Sequence, residues 1–156
     1  MKKAFDTIDR DYFLKTLKHL GFGDKFIGYI KCIFKGNYST IISSGVKEST
    51  FDIERGTRQG DGISALLFLI ALQPLTSTLK KQPDIRGIKI GEKSVKIELL
   101  ADDTTLYINN AEEAQAALSI FRDFEKISGL GLNEDKSEIL LLGKNPSKTK
   151  VGLVKT

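Results

Sequence analysis

From Ser64 to Leu72 the chain reads serine, alanine, leucine, leucine, phenylalanine, leucine, isoleucine, alanine, leucine, with nothing polar after the opening serine. A helix that is apolar on all sides has to be buried by the rest of the molecule. Pro74 lies two residues beyond and is expected to kink or thin it before Leu75 and Leu79. The run is far shorter than a membrane span. With 156 residues the chain can build one domain with a real core around such a helix, and not two comfortable ones.

The flanking patterns supply the cover. Phe13, Leu14, Leu17 and Leu20 form one helical stripe closed by Gly21, and Phe26, Ile27, Ile30, Ile33 and Phe34 form a second closed by Gly36. Tyr38 to Ser44 and Thr50 to Glu54 read as a hairpin around Gly45. Ile85 to Ile90 and Val95 to Leu100 read as another around Gly91 to Ser94, followed by a strand over Leu106 to Ile108. Asn110 with Glu113 opens a helix in the manner of a capping box. That helix sets Ala114, Ala117, Leu118, Phe121 and Phe124 on one face and ends near Ser128 and Gly129. Glu138 to Leu142 reads as a last strand, before a polar tail. The order predicts an α+β fold with antiparallel pairing.

Much chemistry is excluded by composition. One cysteine and one histidine rule out a disulfide framework and a Cys/His zinc cluster. A Ser-His-Asp hydrolase would rest on His19 alone, which sits at a helix end. Cys32, on the apolar side of its helix, is expected to be buried. The N-terminus has no hydrophobic stretch of a signal peptide, so the chain is expected in the cytoplasm or nucleus. A net charge of +4 permits a nucleic-acid partner without demanding one, since lysines scattered on solvated helix faces give the same number.

Two features could carry chemistry. Asp102 and Asp103 lie side by side between apolar strands. Neighbours on a strand face opposite ways, so both carboxylates reach one point only at a tight turn. A divalent cation would relieve their repulsion, and oxygen donors of this kind suit Mg²⁺ in two-metal phosphoryl transfer. The alternative is a solvated hairpin tip, because aspartate is a common turn residue. The second feature is the loop from Arg55 to Gly62, with glycines at 56, 60 and 62 and arginines at 55 and 58, running into the helix at Ser64. Glycines let backbone approach a ligand, and the arginines with the helix end favour a phosphate. Alone, such a loop is more often structural.

Taken together, these stretches resemble the reverse transcriptases of LINE-type (non-LTR) retrotransposons. The run from Arg55 through Arg58-Gln59-Gly60 to Phe68 is similar to motif B. Leu100-Ala101-Asp102-Asp103 with Leu106-Tyr107 is similar to motif C, and Phe124 to Ser137 to motif D. Lys3 to Asp9 resembles the second half of motif A. The resemblance covers roughly residues 1–143 and implies a palm region there, with 144–156 a basic polar tail.

The family's fold would be a polymerase palm, an antiparallel sheet packed on helices, here without its first central strand, fingers and thumb. Asp102 and Asp103 would hold Mg²⁺, with Mn²⁺ as substitute, Asp102 the more directly. Phe5 would be the steric gate under the incoming sugar. Arg58, Gln59 and Gly60 would line the nucleotide and template pocket. Lys136 would give a proton to the leaving pyrophosphate. RNA template, DNA primer and dNTP are the implied partners.

Two departures stand out. Asp61-Gly62 replaces the family's usual Cys-Pro. Motif A's metal-binding aspartate would fall one position before Met1, so neither Asp6 nor Asp9 is that ligand. The expected activity is RNA-directed DNA polymerisation in the family, with this stretch inactive alone. The competing reading is a non-catalytic remnant that binds nucleic acid or a partner chain. Another metal-dependent nucleotidyl transferase or cyclase would explain the paired aspartates but not the Arg-Gln-Gly and Ser-Gly-Leu stretches. An uncovered sheet edge would favour self-association.

Overall fold

The computed structural model describes residues 4–57, 62–100 and 103–140, with the side chains of Ala4, Phe5 and Glu134 outside the description. Within them run α1 (Ala4–Thr7), α2 (Arg10–His19), α3 (Asp24–Phe34), β1 (Tyr38–Ser43), β2 (Val46–Asp52), α4 (Ser64–Lys81), β3 (Ile88–Ile90), β4 (Lys93–Val95), β5 (Ile97–Leu100), β6 (Asp103–Leu106) and α5 (Ala111–Ser128), then a 3₁₀ turn at Glu134–Lys136. The fold is α+β, and every described pairing is antiparallel.

The apolar run is the centre of the molecule. Leu67, Phe68, Ala71, Leu72, Leu75 and Leu79 of α4 are all at most 2% exposed, and they join Phe13, Leu17, Ile30, Phe121 and Leu130 in one core. Burial is nevertheless one-sided: Leu66 and Leu69 face outward, 60% and 46% exposed. Pro74 does not end the helix. Thr76 and Thr78 turn their hydroxyls back to the carbonyls of Leu72 and Pro74 at 3.0 and 2.9 Å, and the Tyr12 hydroxyl donates to Ala71 O at 2.9 Å. Extra donors around a proline absorb a local distortion of the helical ladder.

Several expectations are corrected. Cys32 is exposed, because Ile27, Ile30 and Phe34 take the inner side of α3. The single hairpin expected over residues 85–100 is two. Ile88 pairs with Val95, and after Lys96 the chain changes partner, so that Ile97 pairs with Leu106 and Leu100 with Asp103. Lys96 marks the exchange: its carbonyl accepts from Tyr107 N at 2.9 Å while its ammonium donates to Gln82 O at 2.7 Å. The strand expected over Leu106 to Ile108 is accordingly Asp103–Leu106. β2 begins four residues earlier than expected, with a bulge opposite Ile41 and Ile42. Residues 138–140 form no strand and pair with no described one. The described strands make three separate two-stranded ladders.

The start of α5 shows how a buried charge is accommodated. Asn110 caps the helix by accepting from Glu113 N at 2.9 Å. Glu113 does not reach back to Asn110. Its carboxylate, 2% exposed, accepts from Asn109 N at 3.1 Å, from the Asn109 side chain, and from Arg86 Nε at 2.8 Å. Burial alone would raise its pKa; the Arg86 and Asn109 hydrogen bonds outweigh that and hold it below the usual carboxylate value. A depressed folded-state pKa gives stability that is complete above the unfolded value, about 4.3, and is lost as pH falls through the folded one. Glu113→Ala leaves these donors without an acceptor and is expected to cost about 1–3 kcal/mol at neutral pH. Urea denaturation should show that cost shrinking in acid. A cost independent of pH would mean the carboxylate's charge plays no part.

Candidate active site

The β5–β6 hairpin carries the acidic pair. Alternation sends Ile97, Leu99 and Leu106 inward, buried or packed on the core, and Glu98, Leu100, Asp103 and Thr105 to the solvent face. Because Leu100 pairs with Asp103, only two residues, Ala101 and Asp102, connect the strands. Asp102 lies outside the described residues. Asp103 is the first residue of β6 and sits in the ladder, one step past the turn where the sequence suggested it. Its carboxylate is exposed and makes no ion pair with a described residue, while Leu100 opposite is 79% exposed. On the same hairpin the Tyr107 hydroxyl donates to Glu98 Oε2 at 2.8 Å, and this bond raises the Tyr107 pKa.

An open carboxylate at the start of a strand suits a hard divalent cation, which takes oxygen ligands and keeps waters. Among the described residues no three His, Cys, Asp or Glu side chains gather into a cation site. The donor type fits Mg²⁺; a closed cage is not formed by the described groups.

Asp9 has a different task. Its Oδ1 accepts from Tyr12 N at 2.8 Å and caps α2, which accounts for an aspartate at that position without a metal. Phe5 is on α1, its side chain outside the description. Arg58, Gln59 and Gly60 also lie outside the described residues. Lys136 ends the 3₁₀ turn and is exposed.

What the structure brings together is the N-terminal segment, the end of α5 and the stretch before the arginine-glycine loop, with Ile8 and Asp9 at the joint. Asp9 N donates to Ser128 O at 2.7 Å, joining the N-terminal segment to the end of α5. Gly56 N donates to Ile8 O at 2.9 Å, tying in the stem of the arginine-glycine loop. Arg10, which sequence reasoning passed over, braces the same place. Its Nη1 donates to Phe34 O at 3.1 Å, its guanidinium lies 5.1 Å over the Phe34 ring, and its Nε faces Gly56 O at 3.5 Å. Nothing in the sequence marks it, since its partners are two backbone carbonyls and a ring distant in the chain.

Residues 1–153 match the family model described as reverse transcriptase (RNA-dependent DNA polymerase). The Pol polyprotein of the type-1 retrotransposable element R2 of Popillia japonica is 31% identical over 88% of the chain. That of element R2DM of Drosophila melanogaster is 31% identical over 87%, and the transposon TX1 149 kDa protein of Xenopus laevis is 28% identical over 91%. The chain spans only 19%, 13% and 11% of these three relatives. The four motif-like stretches stand in order along the matched length, and the chain belongs to the reverse transcriptase (RNA-dependent DNA polymerase) family, as a reverse transcriptase domain of the non-LTR retrotransposon type.

Proposed function

We propose that residues 1–143 act as the palm region of a polymerase that adds dNTPs to a DNA primer on an RNA template, with 144–156 a basic tail. The observation that carries this reading is Asp103: an open carboxylate held on the solvent face of a hairpin whose inner face is anchored by Ile97, Leu99 and Leu106. A rigid support under an exposed acid is what a metal-dependent site needs. Asp102 and Asp103 would hold Mg²⁺, with Mn²⁺ as substitute; a divalent cation held there would supply Lewis-acid stabilisation of charge on the phosphoryl oxygens.

The chain's own residues do the rest. Arg58 and Gln59, in a loop whose stem is fixed through Gly56, hold the nucleotide and template, and Gly60 lets backbone come close. Phe5 stands under the sugar and excludes a 2′-hydroxyl. Lys136, exposed at the end of its turn, delivers a proton to pyrophosphate. The β5–β6 ladder, which pairs with no other described strand, is the part of a palm sheet that further strands would complete.

Titration with Mn²⁺, followed by paramagnetic broadening of backbone amide signals, tests the metal assignment. Signals of residues 101–105 should broaden first, and weakly, because an open two-carboxylate site keeps most of its waters. Identical broadening in a chain carrying Asp102→Asn and Asp103→Asn would sink it.

A further inference from the structure

Charge is unevenly spread over this fold. Residues 10–35, the α2–α3 pair, hold six lysines and arginines against two aspartates, a surplus equal to the net charge of +4 of the whole chain. The remaining residues balance. Asp11 and Asp24 lie in the first turns of their helices, where acids complement the helix dipole. Lys15, Lys18, Lys25, Lys31 and Lys35 are all exposed. The dipole accounts for Lys18 and Lys31 in the last turns, but not for Lys15 or Lys25.

α5 shows how the exposed face of another core helix looks in this protein. It carries Glu112, Asp123 and Glu125 against Arg122 and Lys126, with Lys126 paired to Asp123 at 2.8 Å. The ion pairs among the described residues are that one and Arg86–Glu113; none involves a lysine of α2 or α3. Among those lysines stands Tyr29, one turn beyond Lys25 and 69% exposed, although an aromatic ring ordinarily buries most of its surface.

We propose that the outward faces of α2 and α3 form a second nucleic-acid surface, built from other residues than the β5–β6 hairpin and the arginine-glycine loop, which takes single-stranded RNA. Lys15, Lys18, Lys25, Lys31 and Lys35 neutralise successive phosphates, and Tyr29 offers a face on which one base stacks. Unpaired cations interleaved with an exposed aromatic match a single strand, whose bases are free to stack, better than a duplex, whose bases are not. The surface has no base-edge donors of fixed geometry and is indifferent to sequence. It does not depend on polymerase activity.

Fluorescence anisotropy of the 156-residue chain with a labelled oligouridylate, over a range of KCl concentrations, tests this. Wild type should bind with a steep salt dependence. The variant Lys15→Gln, Lys18→Gln, Lys31→Gln, Lys35→Gln should lower the slope of log affinity against log salt by about 3, near 0.7 per lost phosphate contact. Tyr29→Ala should weaken binding about tenfold with the slope unchanged, and Tyr29→Phe should bind like wild type. Lys80→Gln, Lys81→Gln, Lys89→Gln, Lys93→Gln removes as much charge from exposed sites elsewhere and should keep the steep slope. Circular dichroism confirms that each variant folds alike. Equal loss in the two quadruple variants reduces the effect to net charge and overturns the proposal. So does an unchanged slope in the first, absence of binding by wild type, or tighter capture by phosphatidylserine vesicles than by RNA. Asp102→Asn with Asp103→Asn leaves this binding intact, so the metal site and the RNA surface fail or stand separately.

Discussion

Replacing Gly129 with alanine is expected to destabilise the fold by about 3–5 kcal/mol, a large part of the roughly 5–15 kcal/mol that holds a domain together. Gly129 caps α5 in the left-handed region at φ 75°, donating to Glu125 O at 2.9 Å. A side chain there costs about 1–2 kcal/mol for conformation alone. The greater cost is steric. A Cβ at this position would run into the carbonyl oxygen of Thr7 and come within 3.5 Å of Asp9 N. Both neighbours are backbone, and Asp9 N is already committed to Ser128 O, so neither can move aside cheaply. Gly91 is the control: its φ is 61°, but a Cβ there meets nothing within 4 Å, so Gly91→Ala should lose only the conformational part. Urea denaturation of the two variants separates the effects. Equal losses would show that the close approach at Gly129 does not matter.

How much of this was legible in the sequence depends on what each residue touches. α2, α3 and α5 were readable because each is an amphipathic helix, and one-sided burial writes its period directly into the chain. The α4 run announced the core, yet the exposure of Leu66 and Leu69 was hidden, since leucine looks the same on either face. The partner exchange at Lys96 was hidden for a related reason. Val95 to Leu100 alternates as one strand would, and only the pairing of Leu100 with Asp103 shows that the second half belongs to another hairpin. Asp102 and Asp103 stood out because adjacent acids between apolar strands repel each other unless solvent or a cation relieves them. Arg10 and the Ile8 carbonyl, which brace the loop stem, did not, because main-chain hydrogen bonds across tens of residues leave no local pattern. Asp9 was ambiguous until its cap on Tyr12 N was seen.

Primer extension on an RNA template is expected to be undetectable for the 156-residue polypeptide, in Mg²⁺ or Mn²⁺. Two-metal transfer distributes two cations over several carboxylates that must converge. In the polypeptide assayed the proposed ligands are two, Asp102 and Asp103, and Asp9 is occupied in capping α2. Among the described residues β5 and β6 pair only with each other, and a lone two-stranded ladder is marginal unless something covers it. Size-exclusion chromatography should therefore find association through that edge. Adding about ten family-like residues at the N-terminus, a strand's length with margin, should supply a further strand and a third carboxylate together. The extended chain should then elute as a monomer and bind Mn²⁺ more tightly, with Asp103→Asn reversing the gain in affinity but not the change in elution. Extension activity in the unextended polypeptide, abolished by Asp102→Asn, would show that two carboxylates suffice and that the third has been overrated.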